Sequence, residues 1–494
     1  MKFSQLKIYI FFLISTILSR YYLFDINSIN WDETTYFISG IKILQGEIPY
    51  KDFWELKPPL TFYLYSIPLY FFGENLISFR IWSIIIVFII TCQIYIILRN
   101  FHSSILDKFL PFLFILVISY FFWGTLSTEL IALPFLLFSY YLIRVKNFFF
   151  SGFMLSLATL VRLNLVYLVI GIVLYLIMKI IRKEIHFKSL LEYLIGGTIP
   201  LCFFIIYFFH LNLFDLFWVS NVNVNLVYLG EKSLLQTLFE IIKSIIKLNF
   251  FFPYHFLLFF SLIIFGLFYK ISNKNFNLEK VFLFYLISIL FSILMTKQGY
   301  THHLILSIPF LILFISDFIN QCRSIIFLSF QSVIKYLIVI SLLSQIYISN
   351  SIFSITNDLD KSAIIKAKIF VESNLEFGDE ILALDYHLLN HYLEIKTKTP
   401  FIHTPSLNRK TTKSRLKPLI GLGFIEKNHI NYIFKQKYKF IICSKRICHD
   451  KVDSYNINRL KKIFKHYEKV LEIKDARLWE YTKNTNLIIY KRID

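Results

Sequence analysis

The chain has 494 residues, of which 56% are hydrophobic and only 17% charged, and its mean hydropathy is +0.60. A soluble globular chain carries about a quarter charged residues, so this composition excludes a soluble fold and gives an integral membrane protein. The net charge of +20 raises nucleic-acid binding, but the Lys and Arg are spread through short loops and a polar tail, not gathered in an aromatic-lined groove. Nucleic acid is set aside; topological bias and attraction to anionic membrane lipids explain the excess.

Residues 1–24 start basic (Lys2, Lys7) and continue apolar, as a signal peptide does. No small-residue cleavage site follows, since Leu18-Ser19-Arg20-Tyr21-Tyr22 is bulky. The expectation is an uncleaved first span. Apolar runs long enough to cross about 30 Å of hydrocarbon then predict an α-helical polytopic protein. Its spans fall near 6–24, 76–98, 105–123, 128–143, 148–161, 164–180, 190–210, 250–269, 281–296, 303–320 and 325–349, eleven in all. The stretch 148–180 is too long for one crossing, and Arg162 with Asn164 marks its break. Residues 60–72 are short and contain Pro68, which suits an interfacial or re-entrant segment.

With the N-terminus cytoplasmic, the inner loops collect Arg99, Lys108, Arg144, Lys146, Lys179, Arg182, Lys183, Lys188, Lys270, Lys274, Lys280 and Arg323, while the outer loops hold chiefly Arg162 and Lys297. This asymmetry places the loop carrying Asp32 to Lys57, the 211–249 loop and the C-terminal tail outside. The expected domains are a membrane catalytic part, 1–350, with its first external loop at 25–75, and a soluble α/β domain, 351–494. In that tail the pattern predicts a helix over 358–375, a strand Ile381–Leu384, a helix near 426–437, a strand Phe440–Cys443, a basic helix near 456–467 and strands around 468–473 and 486–491. Cys92, Cys202 and Cys322 read as buried small hydrophobes. Cys443 and Cys448 form a disulfide if the tail is external and are inert otherwise; Cys448-His449 offers too few ligands for zinc.

The chemistry concentrates in the first external loop. Asp32 and Glu33 follow the first span, and Thr34 to Leu44 is an amphipathic segment. Two acids there are either a solvated loop start or a catalytic pair; a carboxylate at the edge of low-dielectric surroundings is a usable general base. In Lys57-Pro58-Pro59 the prolines stiffen the backbone and forbid helix up to Lys57. Its ammonium either snorkels to a headgroup or supplies a point charge to a phosphate. Glu55 and Asp52 are open as ligands of a divalent cation or as groups that orient Lys57. No metal site and no cofactor are assigned. Ionisable residues at span ends need a reason, because charge at mid-span costs about 2.5–3.5 kcal/mol. Arg80, Glu129, Arg162, His255, Lys297, His302 and His303 are each a snorkelling or capping residue taken alone; together they describe a polar outer mouth suited to phosphate.

Asp32-Glu33, Gly46-x-x-Pro49-Tyr50, Lys57-Pro58-Pro59-Leu60 and Phe79-Arg80, in this order, resemble the N-terminal signature of GT-C membrane glycosyltransferases. The nearest likeness is to the aminoarabinose transferase and protein mannosyltransferase-like superfamily of bacteria. Glu129 and the stretch Gly152 to Arg162 also resemble that family's later helices. The likeness covers roughly residues 1–350. It implies transfer of a monosaccharide from a polyprenyl-phosphate carrier to a hydroxyl of a glycan, lipid or protein acceptor, with inversion, on the outer face of a bacterial inner membrane. By that resemblance Asp32 is the base, and Lys57, helped by Arg162, steadies the departing lipid phosphate. Glu55, Arg80, Glu129, His255 and His302 are the remaining candidates for substrate binding. One departure stands out: several relatives have Glu immediately before the Lys, whereas here Leu56 intervenes and the acid is Glu55. That departure sets Glu55 one position away from the acid those relatives carry.

Two other classes compete. A transporter or flippase of lipid-linked saccharides would place its ionisable groups near the membrane midplane in two related halves; here they gather at one face. An oligosaccharide polymerase or ligase would use a large external loop with arginines.

Overall fold

The computed structural model describes residues 3–25, 31–101, 108–119, 126–228, 232–251, 259, 261–264, 266–267, 280–321, 336, 363–395, 397–402, 412–449, 461–474 and 486–493. In chain order the helices that matter here are α1 (Phe3–Leu18), α2 (Trp31–Leu44), α3 (Pro59–Phe72), α4 (Leu76–Phe101), α5 (Leu110–Ile118), α6 (Thr128–Arg144), α7 (Phe148–Val161), α8 (Val166–Ile181), α9 (Phe187–His210), α10 (Phe214–Trp218), α11 (Val224–Tyr228), α12 (Leu234–Phe251), α13 (Lys280–Met295) and α14 (Ile308–Gln321). By length and composition four segments among the described residues are able to cross a membrane: Leu76–Phe101, Leu163–Ile181, Phe187–His210 and His302–Asn320. Gln5–Leu18, Phe148–Val161 and Lys280–Met295 are shorter apolar helices.

Several expectations shift at their edges. The first helix stops at Leu18, with a 3-10 turn at Tyr21–Asp25, so it is about 24 Å long at 1.5 Å per residue. The break inside 148–180 lies where it was expected: α7 ends at Val161, Arg162 is extended (φ −137°, ψ 100°), and a 3-10 turn Leu163–Leu165 starts the next helix. The 60–72 segment is a helix of 14 residues with Pro68 inside. About half of 250–269 and all of 325–349 but Tyr336 lie outside the described residues, as does Cys322. Cys92 is half-buried and Cys202 exposed, so neither is a core residue.

Packing divides the chain into two compact units. The first comprises Met1–Tyr21, Arg80–Ile205 and Leu229–Asn350. Here α6 and α7 form an antiparallel hairpin turned at Lys146, whose φ of 61° is left-handed. Ser139 and Ser151 cross-link the pair, each hydroxyl donating to the other's carbonyl at 2.9 Å, and Tyr285 of α13 joins them at 2.9 Å. In an apolar medium such bonds satisfy polar groups that lipid cannot. α7 also lies directly against α9. A Cβ on Gly152 would meet the Tyr193 carbonyl oxygen at 2.0 Å, so only glycine permits this approach.

The second unit comprises Tyr22–Phe79, Ile206–Tyr228 and Ser351–Asp494. Helices α2 and α3 pack closely at Gly40, where a Cβ would stand 2.8 Å from the Tyr65 carbonyl. The C-terminal part holds a four-stranded sheet in the order β1-β2-β4-β3, made of β1 (Ile381–Ala383), β2 (Phe440–Ser444), β3 (Tyr467–Ile473) and β4 (Leu487–Arg492). β1 runs parallel to β2, and the other pairs are antiparallel. Every residue of β2 is buried, as a central strand covered on both faces requires. Helices occupy Ala363–Glu372 and His429–Lys435. The basic helix expected to reach 467 gives way earlier: Phe464–His466 is a 3-10 turn, and Tyr467 already pairs with Arg492 in the sheet. Sheet pairing outweighs local helix propensity there.

Candidate functional site

In the second unit the acid pair opens α2. Asp32 and Glu33 occupy its first turn, where the amide groups and the positive end of the helix dipole favour carboxylates. Asp32 is half-buried and Glu33 fully buried. The turn is anchored from the sheet. After β1 the chain runs through Asp385, whose Oδ1 accepts from the Ser444 amide at 2.8 Å, to His387. His387 Nε2 meets Thr35 Oγ1 at 3.1 Å, and that hydroxyl donates to the Trp31 carbonyl at 2.7 Å. With the Thr35 proton so committed, its oxygen accepts, and His387 carries its proton on Nε2. Burial drives the His387 pKa down to about 3, although its bond to the Trp31 backbone opposes this. The imidazole is therefore neutral beside the acids.

Lys57 is held in a stiff turn. Pro58 is extended (φ −61°, ψ 151°) and Pro59 takes the first helical position of α3, where its missing N–H costs nothing. Tyr50, with φ 67° and a fully buried ring, donates its hydroxyl to the Lys57 carbonyl. Burial pushes that phenol far above its ordinary pKa, so it remains a donor. Asn221, in the turn Val219–Asn223, donates to the same hydroxyl at 3.1 Å. Trp54 Nε1 donates to Ser220 at 2.9 Å, and its amide donates to the Pro400 carbonyl at 2.8 Å. The Lys57 ammonium stands 6.0 Å from the Tyr36 ring centroid, at the outer limit of a cation–π contact. Tyr36 lies one helical turn beyond Asp32, so the acid and the cation address one face of α2. Tyr36 in turn stacks on Tyr65, their centroids 4.6 Å apart. Glu55 is half-buried two residues before Lys57, whose amide donates to the Glu55 carbonyl at 3.0 Å. Asp52 caps the preceding turn through the Ile48 amide at 2.8 Å.

The first unit holds a separate cluster. Ser127 caps α6 by accepting from the Leu130 amide, which sets Thr128 and Glu129 in the first turn. Arg162, at the α7–α8 break, donates from Nη1 to Glu129 Oε1 and to Thr128 Oγ1 at 3.1 Å. Its Nε reaches Asn164 Oδ1 at 3.2 Å, and Asn164 donates to Ser292 of α13 at 2.9 Å. The break in the long apolar stretch thus exists to turn a guanidinium onto a buried carboxylate. His302 and His303, in the turn before α14, place Nε2 at 3.6 Å and 3.9 Å from the same Glu129 oxygen. Arg80 lies buried near the start of α4. His255 lies outside the described residues.

Asp32, Glu33, Lys57 and Glu55 thus belong to one unit, and in the other Glu129, Arg162 and His302 meet at one carboxylate. His303 joins the second group from beside its named neighbour. Tyr36 was findable from its four-residue spacing to Asp32. Tyr50, Asn221 and His387 carry no local signal for their roles, since their contacts span from 7 to more than 350 residues.

No curated protein matches the chain. Residues 56–208 match the family model described as dolichyl-phosphate-mannose-protein mannosyltransferase. The match covers less than half of the chain; it begins just before Lys57 and contains Arg80, Glu129 and Arg162, whereas Asp32 and Glu33 precede it. Taken with the membrane-length helices, the match supports a likeness of this stretch to membrane glycosyltransferases of the GT-C type.

Proposed function

We propose that the protein moves a monosaccharide from a polyprenyl-phosphate carrier to a hydroxyl acceptor on the outer face of a bacterial inner membrane, in a single inverting displacement. The acceptor oxygen attacks the anomeric carbon while Asp32 takes its proton. The bond from that carbon to the phosphate oxygen breaks, and the polyprenyl phosphate departs as an anion steadied by Lys57. Glu33, beside Asp32 in the first turn of α2, belongs to the catalytic pair; Glu55, Arg80, Glu129, Arg162 and His302 are assigned to donor binding. The observation that carries this reading is the family match over 56–208, which opens at the Lys57-Pro58-Pro59 turn.

The outer orientation rests on the loop charges and on a second feature, the disulfide between Cys443 and Cys448. Disulfides persist in oxidising compartments, which suits a polar tail outside the cytoplasm. The eleven spans and the membrane and tail domains of the sequence reading belong to this proposal.

The test is mass spectrometry of envelope glycans, glycolipids and glycoproteins from a deletion strain, complemented with the wild-type or the Asp32→Asn chain. The reading expects one class of glycan to lose a single monosaccharide mass, restored by wild type and not by Asp32→Asn. Unchanged glycans in the deletion strain, or full restoration by the variant, would reject it.

A further inference from the structure

We propose that the C-terminal stretches 385–395 and 397–402 are a positioning element of the transferase: His387 sets the turn that carries Asp32, and the backbone of Pro400 and Ile402 sets the loop that carries Lys57. The proposal rests on the reading of Asp32 as base and Lys57 as partner of the phosphate. Both anchors lie within the second unit. The first joins residues 352 positions apart: His387 Nε2 donates to Thr35 Oγ1 at 3.1 Å, and Thr35 donates to the Trp31 carbonyl at 2.7 Å. Trp31 is the first residue of α2 and precedes Asp32, so the relay ends beside the base.

The second anchor is a short parallel pairing of backbone. The Trp54 amide donates to the Pro400 carbonyl at 2.8 Å, and the Ile402 amide donates to the Trp54 carbonyl at 3.3 Å. Between them the Phe401 ring meets the Trp54 indole edge to face, with centroids 5.1 Å apart. The indole N–H is committed to Ser220 at 2.9 Å, in the π-helical turn Val219–Asn223. That turn also holds Tyr50 through Asn221, and Tyr50 donates to the Lys57 carbonyl. The Lys57 loop is thus gripped by two elements remote from it in sequence. Single π-turns are frequent at functional sites.

Two features separate positioning from ordinary packing. The bonds fall on Trp31 and Trp54, close in sequence to the two proposed reacting groups, and the Trp54 pairing is an isolated bridge that continues into no strand. A bridge this short contributes direction more than stability. The element that makes it is itself seated on the sheet. The Leu384 amide donates to the Ile442 carbonyl at 2.9 Å, and Asp385 Oδ1 accepts from the Ser444 amide at 2.8 Å. A base must lie within hydrogen-bond reach of the proton it takes, and a misplacement of about 1 Å costs about 10²-fold. Hydrogen bonds from a supporting layer on rigid elements remove that slack.

The experiment assays the purified full chain in nanodiscs, titrated with the total lipid extract of a deletion strain as donor source and with its envelope fraction as acceptor. His387→Ala is expected to lower kcat by about 10–100-fold with KM nearly unchanged. His387→Gln, whose side-chain amide still reaches the Thr35 oxygen, recovers most of that loss, and His387→Asn, one methylene shorter, does not. Thr35→Val keeps the shape without the hydroxyl and gives the readout if His387→Ala misfolds. The double variant is no slower than the slower single one, because both remove one relay. Ile402→Pro, which deletes the amide on the Trp54 carbonyl, is expected to cost about 10-fold in kcat. Full kcat in His387→Ala and Thr35→Val, equal losses in the Ala and Gln variants, or a raised KM at unchanged kcat overturns the proposal. If the wild-type chain transfers no sugar, the transferase reading falls by itself. Hydrogen exchange across 31–36 then decides the anchor: faster exchange in His387→Ala supports it, and unchanged exchange removes it.

Discussion

The carboxylate of the first loop and the carboxylate of the α6 start are held in opposite ways. Asp32 sits at the opening of α2, half-buried, with Lys57 reached through Tyr36 and the helix clamped from behind by His387. Glu129 is fully buried and carries a guanidinium directly on its oxygen. The first arrangement leaves the acid partly open, as the proposed role of general base needs. The second sets a guanidinium on its acid, and the pair holds the α6 start to the α7–α8 break.

Substitutions should widen this contrast. The largest expected effect is on turnover: Asp32→Asn should cost about 10²–10⁴-fold if it removes base catalysis alone, with expression and insertion unchanged. Undiminished transfer by the purified variant would remove Asp32 as the base. At the other acid the main effect falls on stability. Arg162→Gln leaves Glu129 without its guanidinium and should destabilise the first unit by about 3–5 kcal/mol, measured by thermal unfolding in detergent. A loss under 1 kcal/mol would show that the pair is solvated and not structural.

The acid dependence of the second unit comes next. His387 has a folded pKa of about 3, set by burial, against about 6.5 unfolded. Between those values the unfolded chain binds the extra proton. Stability is therefore full above about pH 6.5 and falls toward pH 3 by about 1.4 kcal/mol per unit. Burial also lowers His391 and His429, which steepens the slope. His387→Gln should flatten it, as followed by near-ultraviolet circular dichroism; an unaltered slope would detach His387 from the turn it supports. A smaller cost, about 1–3 kcal/mol, is expected for Tyr50→Phe, which leaves the Lys57 carbonyl and the Asn221 amide without their shared hydroxyl. The last comparison is within one position: Lys57→Ala should lose more turnover than Lys57→Arg, since the arginine keeps the charge. Equal, full activity in both would end the phosphate role.

Composition and local pattern alone gave what the bilayer dictates: long apolar runs, short loops, and the helix break at Arg162 inside 148–180. They also exposed the first-loop acids and Lys57, because a proline pair and adjacent carboxylates are local signals 25 residues apart. The parallel pairing of β1 with β2, the clamp of His387 on Thr35 and the meeting of Glu129 with Arg162, His302 and His303 lay beyond them. Those contacts join residues tens to hundreds of positions apart, and periodicity carries no information about which distant side chains will share a buried space. Only the packed helices decide that, because a charge or proton shut away from water must find its partner wherever the fold delivers one.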